Sequence, residues 1–332
     1  MSTAYSPLLC LSKKRRMSLP DAFLALDTSA YTTSVAAFAD GRVLFDGRIM
    51  LKVPFGSRGL RQSEAVFAHI KNLRTLFCDC ELKKLSLKGV AFSDKPCPAE
   101  GSYMPVFCAG ASHAQAISAA LGVSQFPLSH QHGHIYSAFL EQPVDDGEYG
   151  VFHVSGGTLD LLCVAIKEGI VSGISPIGGK LDLTCGQLID RVGVKAGLPF
   201  PSGAAIEQLY TKGSAPLAVH VDGLSVNLSG AETQAMRRLD AGEAVDNVCS
   251  AVIDCVAQTL GKLLDHAAEQ TGLCQYIFTG GVMRNAVIRE HMKNMCARVG
   301  IRCIIAQKKY CSDNACGLAL AAQRLFSKGD KI

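Results

Sequence analysis

Two stretches of this chain repeat one pattern. Residues 23–43 read FLALDTSAYTTSVAAFADGRV, and residues 150–171 read GVFHVSGGTLDLLCVAIKEGIV. Each is an apolar run, a turn of small and hydroxyl residues, a second apolar run, a charged or glycine turn, and the start of a third run. Apolar and β-branched runs bounded by turn residues predict strands. The two hairpins lie about 130 residues apart, which predicts a duplicated α/β unit with one hairpin opening each half.

Helical periodicity fills the intervals. Residues 62–77 place Ala65, Val66, Ile70, Leu73 and Phe77 on one face at a period near 3.6. Residues 109–121 are rich in Ala and Ile. A long apolar stripe runs through Val245, Val248, Val252, Val256, Leu260, Leu263 and Leu264, with Gly272 as its C-terminal cap. Helices are also predicted over 285–299 and 314–326, and strands over 276–279 and 301–306. Strand and helix alternating at this spacing argue for α/β domains with covered sheets. The expected division is an N-terminal extension over 1–20, a first lobe over 21–130, a second lobe over 131–326 with a nucleotide-binding insert, and a tail over 327–332.

Composition supports a folded chain: 48% hydrophobic and 19% charged residues with only 12 Pro exclude a disordered or low-complexity protein. Charge removes one argument. The net +4 resides in Lys13, Lys14, Arg15 and Arg16, and residues 1–16 hold no acid. Without them 29 bases face 29 acids, so the remainder carries no strong electrostatic footprint for nucleic acid. That run reads as a solvated tail, and Met17 as a second possible start. Lys71, Arg74, Lys83, Lys84, Arg237 and Arg238 read as solvated helix faces, with a tRNA contact as the alternative. No apolar run reaches the roughly 18–20 residues that cross a bilayer, so no membrane partner is expected. Cysteines in apolar company, such as Cys163, Cys255 and Cys303, read as small buried hydrophobes in a reducing compartment. Cys78 and Cys80 form the tightest pair, and no second pair completes a zinc site.

Five segments could carry chemistry. In Ser129-His130-Gln131-His132-Gly133-His134, a helix puts His130 and His134 on one face, where both can bind a divalent ion, while His132 points elsewhere. Gln131 stands where a zinc peptidase needs its glutamate base, so peptidase chemistry is unsupported. Val154-Ser155-Gly156-Gly157-Thr158 can turn backbone N–H groups toward a phosphate, or be a plain tight turn. Asp190, four residues after Gly186, can accept from ribose hydroxyls or cap its helix. Gly280-Gly281 follow a strand and precede a helix at Asn285, which lets a nucleotide approach the backbone. Asp313 is either a helix N-cap or the carboxylate partner of the two histidines.

Taken in this order, the segments resemble the tRNA threonylcarbamoyladenosine transferase family, formerly labelled O-sialoglycoprotein endopeptidase (glycoprotease), in the actin, sugar kinase and Hsp70 ATPase superfamily. The resemblance runs from residue 23 to 326. It implies a duplicated two-lobed actin-like fold, each half a mixed sheet flanked by helices. It implies metal ligands at His130, His134 and Asp313, for iron or zinc, with magnesium also open. It implies a phosphate turn at His153, Val154, Ser155, Gly156 and Gly157, a ribose carboxylate at Asp190 and an adenine-side glycine at Gly203. It puts Gly280, Gly281 and Asn285 against the nucleotide, which is adenylate or ATP. A cytoplasmic setting, a tRNA substrate and partner proteins of the same pathway follow from the same resemblance.

The chain also departs from the family. The first hairpin typically reads Glu-Thr-Ser-Cys-Asp-Glu-Thr in the enzymes. Here Asp27-Thr28-Ser29-Ala30-Tyr31-Thr32-Thr33 puts Tyr31 and Thr32 where the turn carries acids. Neutral side chains cannot replace a carboxylate base. Two prolines stiffen the loop around Cys97, where the enzymes have Gly-Pro-Gly. Asp-Asp-Ala-Ala-Gly-Glu has become Asp182-Leu183-Thr184-Cys185-Gly186-Gln187, with two acids lost. Asn227 to Glu232 only echo the family's Ser-Phe-Ser-Gly-Leu-Lys. The expectation is a diverged member that transfers a threonylcarbamoyl group to adenosine of tRNA. The alternatives are a catalytically altered adenine-nucleotide- and metal-binding paralogue or a regulator of the true enzyme, and a related acyl, carbamoyl or phosphoryl transferase.

Overall fold

The computed structural model describes residues 19–29, 31–53 and 60–329. The basic run at residues 13–16, Met17 and Ala30 lie outside the described residues.

The first half opens with β1 (Asp21–Asp27), β2 (Thr32–Ala39) and β3 (Arg42–Met50), followed by α1 (Gln62–Asp79), β4 (Ser86–Lys95), α2 (Phe107–Leu121), β5 (Ser124–Ser129) and α3 (His130–Ser137). The second opens with β6 (Gly147–Val154), β7 (Leu159–Lys167) and β8 (Ile170–Lys180), then α4 (Cys185–Lys195), α5 (Gly203–Gln208), β9 (His220–Asp222), β10 (Ser225–Asn227), α6 (Ser229–Asp240), α7 (Val245–Thr271) and β11 (Gln275–Thr279). It closes with α8 (Ala286–Arg298), β12 (Arg302–Ile305), α9 (Lys308–Cys311) and α10 (Cys316–Ser327).

The duplication is visible in the strand order. One sheet runs β3-β2-β1-β4-β5, and the other repeats it as β8-β7-β6-β11-β12 with β10 and β9 added beyond β8. In both, an antiparallel meander continues through two parallel strands. The turn between the second and third strands is built alike. Asp40 and Gly41 have φ of 50° and 75°, and Glu168 and Gly169 have 53° and 73°. Two consecutive left-handed residues match the right-handed twist of a hairpin, and glycine meets that demand without strain.

β1 is buried from Ala22 through Asp27. It is covered on both faces, which is why it reads as a continuous apolar run instead of an alternating one. The long helix begins at Val245 and ends where predicted, with Gly272 left-handed at φ 69°. The last helix, α10, crosses back to pack on β1, β2, β4 and α3, and Phe326 meets Phe23 edge-on at 5.4 Å. One core therefore contains Phe23 and Phe38 of the first sheet with Phe152 and Phe278 of the second. Of the cysteines expected to be buried, Cys255 is, whereas Cys163 and Cys303 are half-buried; Cys185, Cys249, Cys311 and Cys316 are buried free thiols. No helix among the described residues is long and apolar enough to cross a membrane.

The parallel strands set the site. Asp27 ends β1, Ser129 ends β5 just before His130, His153 lies one residue from the end of β6, and Thr279 ends β11. Carboxyl ends of parallel strands at a switch in strand order are where α/β folds bind ligands.

Candidate metal centre and nucleotide cleft

Helix α3 begins on a capping box. The Ser129 hydroxyl accepts from the His132 backbone N–H at 3.3 Å, and the His132 ring turns back to bond Ser129 through Nδ1. His132 thus points away from its neighbours, and burial, helped by Lys95, pushes it down to about 4. His130 and His134 share the other face, with their Nε2 atoms 3.0 Å apart. The Asp313 carboxylate completes the group, its Oδ1 3.3 Å from His134 Nε2 and 3.8 Å from His130 Nε2. Of the two roles open to Asp313 in sequence, the carboxylate partner is the one the fold adopts. The Asn314 side-chain Oδ1 instead accepts from the Cys316 N–H that begins α10.

The loop carrying Asp313 is tied to the first sheet: Ala315 N–H donates to the Ser34 hydroxyl at 2.9 Å, and Arg48 donates to the Ser312 hydroxyl at 3.1 Å. Among the described residues, His130, His134 and Asp313 are the one group of three potential ligands within metal-binding reach of one another. Bonds of about 2.0–2.1 Å to a tetrahedral ion put ligand atoms about 3.4 Å apart, and the three separations bracket that value. His153 is a third imidazole here. Its ring lies 4.3 Å from that of His134, and neither of its buried nitrogens has a hydrogen-bond partner. The residues fit a metal ion.

Burial lowers His130, but Asp27 and Asp313 outweigh it and raise the group to about 9. Burial dominates at His134 and His153 and lowers both, His153 strongly. Burial also opposes charge at Asp313, yet the surrounding imidazoles hold its carboxyl well below the usual range.

The second hairpin turn adjoins this centre. Ser155 N–H donates to Thr158 carbonyl at 2.8 Å, and Thr158 N–H donates to the Ser155 hydroxyl at 3.1 Å. A Cβ on Gly156 or Gly157 meets no atom within 4 Å. Behind the turn, Thr184 donates to the Gly156 carbonyl at 2.9 Å and Lys180 to the Gly157 carbonyl at 3.0 Å. With both carbonyls drawn to one side, the backbone of the turn is left bare on the other. Gly186 presses against it so closely that a Cβ there falls 2.5 Å from Gly156 Cα.

The altered acidic stretch has a local explanation. Asp182 accepts from Leu228 and Ser229 N–H, both at 3.0 Å, and so anchors the start of α6. Thr184 and Gln187 form the capping box of α4, in which an amide oxygen suffices. Leu183 is buried.

The remaining predicted residues lie on α4, at the start of α5 and between β11 and α8. Asp190, on α4, accepts from the Ser202 N–H at 2.7 Å and latches the loop before α5. It does not cap its own helix, whose cap is Thr184, and burial raises its carboxyl. Gly203 starts α5 with open space where a side chain would be. Gly280 is left-handed at φ 101°, and a Cβ would fall 2.2 Å from the Val154 carbonyl, whereas Gly281 faces open space. Asn285 uses its side-chain oxygen as the cap of α8, accepting from Val287 and Ile288 at 3.0 and 3.1 Å.

Sequence reasoning assigned no role to Glu207, which accepts from Ala286 N–H at 2.8 Å and ties α5 to α8. It grouped His153 with the phosphate turn alone. The strand spelling of FHV carries no sign that its histidine, buried in β6, meets α3. Tyr31, at the first turn, meets Phe200 edge-on at 6.4 Å, so an aromatic pair spans the two halves where the enzymes carry acids.

The chain is similar to known proteins in sequence and in fold. A relative from Thermoplasma acidophilum, named as a bifunctional tRNA threonylcarbamoyladenosine biosynthesis protein, is 27% identical over 93% of this chain and 57% of its own. The chain thus spans little more than half of that protein. A tRNA N6-adenosine threonylcarbamoyltransferase from Trichlorobacter lovleyi is 27% identical over 92% of each chain. Among solved structures, full-length HypF bound to phosphate and nucleotide superposes with TM-score 0.58 at 12% identity, over 93% of this chain and 55% of its own. The 2-hydroxyisocaproyl-CoA dehydratase activator of Clostridium difficile does so with TM-score 0.56 at 13% identity, over 93% and 97%. These likenesses show the actin-like ATPase and sugar-kinase fold. The TsaD family model, tRNA N6-adenosine threonylcarbamoyltransferase, matches residues 61–320, and with most of the chain inside that match the protein belongs to this family.

Proposed function

We propose that this chain transfers the threonylcarbamoyl group of threonylcarbamoyl-adenylate to N6 of an adenosine beside the anticodon of tRNA. The observation that carries this is the convergence of His130, His134 and Asp313 next to a bare Ser-Gly-Gly turn. In the reaction, the exocyclic amine attacks the carbamoyl carbon. The new N–C bond forms, the C–O bond to the adenylate phosphate breaks, AMP leaves, and the amine proton passes to solvent.

His130, His134 and Asp313 hold the divalent ion, with His153 beside them. When bound, the ion supplies Lewis-acid polarisation and a template for the phosphate and carbamoyl oxygens. Imidazoles with one carboxylate suit zinc or iron(II) better than magnesium, which prefers oxygen ligands. Gly156 and Gly157 offer backbone N–H groups to the phosphate, kept outward by Thr184 and Lys180 on their carbonyls. Asp190 accepts from the ribose, Gly203 and Gly281 let the nucleoside lie against backbone, and Gly280 seats that segment on the Val154 carbonyl. Asn285 acts through the start of α8, since its oxygen is already engaged there.

Pure protein loaded with zinc or iron and given threonylcarbamoyl-adenylate with unmodified tRNA is expected to form N6-threonylcarbamoyladenosine, read by nucleoside mass spectrometry. No modified nucleoside at metal saturation sinks the proposal. The neutral pair Tyr31 and Thr32 favours a second reading, a nucleotide-binding regulator of the active enzyme. Calorimetry showing ATP or AMP binding without any turnover supports that one, and no nucleotide binding removes it.

A further inference from the structure

Asp27 is the acid that the first turn keeps, and nothing so far gives it work. It is 1% exposed, and its two oxygens have different partners. Oδ1 accepts from the Ser93 hydroxyl at 2.6 Å, and Oδ2 accepts from His130 Nδ1 at 2.8 Å. A carboxylate oxygen here only accepts, so the His130 proton sits on Nδ1. The other nitrogen, Nε2, is therefore the one left to face His134 and Asp313, 3.0 and 3.8 Å away. Ser93 stops Asp27 from rotating away, and β1 and β4, paired in parallel, fix both residues.

We infer that Asp27 is the positioning carboxylate of the metal centre: with Ser93 behind it, it selects the tautomer and ring plane that make His130 a ligand. Histidines that bind metals commonly donate their second N–H to a carboxylate, which orients the ring and raises its donor strength. Asp27 thus ties the first hairpin to the chemistry although Tyr31 and Thr32 are neutral. The inference rests on the metal reading of this site.

The test uses the full chain stripped of metal and titrated with cobalt(II), which reports ligand geometry through its visible absorption. Wild type is expected to bind one equivalent. Asp27→Asn keeps the shape but loses the charge, and is expected to bind about 10- to 100-fold more weakly, with a shifted spectrum. Asp146→Asn is the control. It loosens a remote turn by weakening bonds from Glu168 and Gly169 N–H, and should leave cobalt affinity and spectrum unchanged. If Asp27→Asn does not fold, Ser93→Ala decides, with weaker binding and a shifted spectrum expected. Wild-type affinity and spectrum in a folded Asp27→Asn, or in Ser93→Ala when only that variant folds, overturns the inference while leaving the metal site intact. No cobalt binding by wild type overturns the metal reading and this inference with it.

Discussion

The two hairpin turns occupy equivalent places in a duplicated frame and are built in opposite ways. The first closes inward. Asp27 is buried and fully bonded, Thr28 donates to the Val106 carbonyl at 2.9 Å, and Tyr31 reaches across to Phe200. The second opens outward, with Gly156 and Gly157 facing empty space and their carbonyls held from behind. Duplication preserved the place of each turn at the carboxyl end of a strand. It did not preserve the chemistry, because a turn's side chains and glycines can change without touching the ladder beneath. One turn delivers a carboxylate to an imidazole, and the other delivers bare backbone to the cleft.

The largest effect is expected at the junction of the two. His134→Ala or Asp313→Ala removes a ligand atom, and metal affinity should fall more than about 100-fold, beyond the range for residues that only support ligands. Competition with a chelator measures it, and retention of near-normal affinity breaks the link between the halves.

Next come two glycines that look alike in sequence. Gly280→Ala forces a Cβ into the Val154 carbonyl at a left-handed φ, so stability should drop by about 1–3 kcal/mol in chemical denaturation. Gly157→Ala projects into open space and should change stability by less than about 1 kcal/mol, since no strain or clash is created. Its cost should appear as weaker adenylate binding in calorimetry. Equal stability of the two variants contradicts the division into a structural and an open glycine.

The smallest effect belongs to the first turn. A double-mutant cycle on Tyr31→Ala and Phe200→Ala should give a coupling of about 0.5–1.5 kcal/mol, the usual worth of an edge-to-face pair. A coupling of zero means the two halves do not meet there.

Much of the centre could be read along the chain, because its parts are local. His130 and His134 are one helical turn apart, and Gly272, Gly41 and Gly169 mark turns whose geometry demands glycine. Segment order sufficed for family and fold. Other features were silent. Asp27 and His130 are 103 positions apart, and only the parallel pairing of β1 with β4 and of β4 with β5 brings them together. His153 looked like part of a turn until the β6–β11 pairing set it beside α3. Asn285 reads as a nucleotide contact along the chain, and its side-chain oxygen also caps α8, a bond that the sequence did not reveal.

The amino-acid sequence by itself determined the period of each element, the duplicated hairpins and the identities of the potential ligands, since these depend on spacing within a few residues. Tertiary structure alone decided which atoms of those residues meet, which carboxylate holds which imidazole nitrogen, and which glycines stay open. The physical reason is that hydrogen bonds and metal ligation act over about 3 Å, and only the packing of two sheets on one core brings distant segments that close.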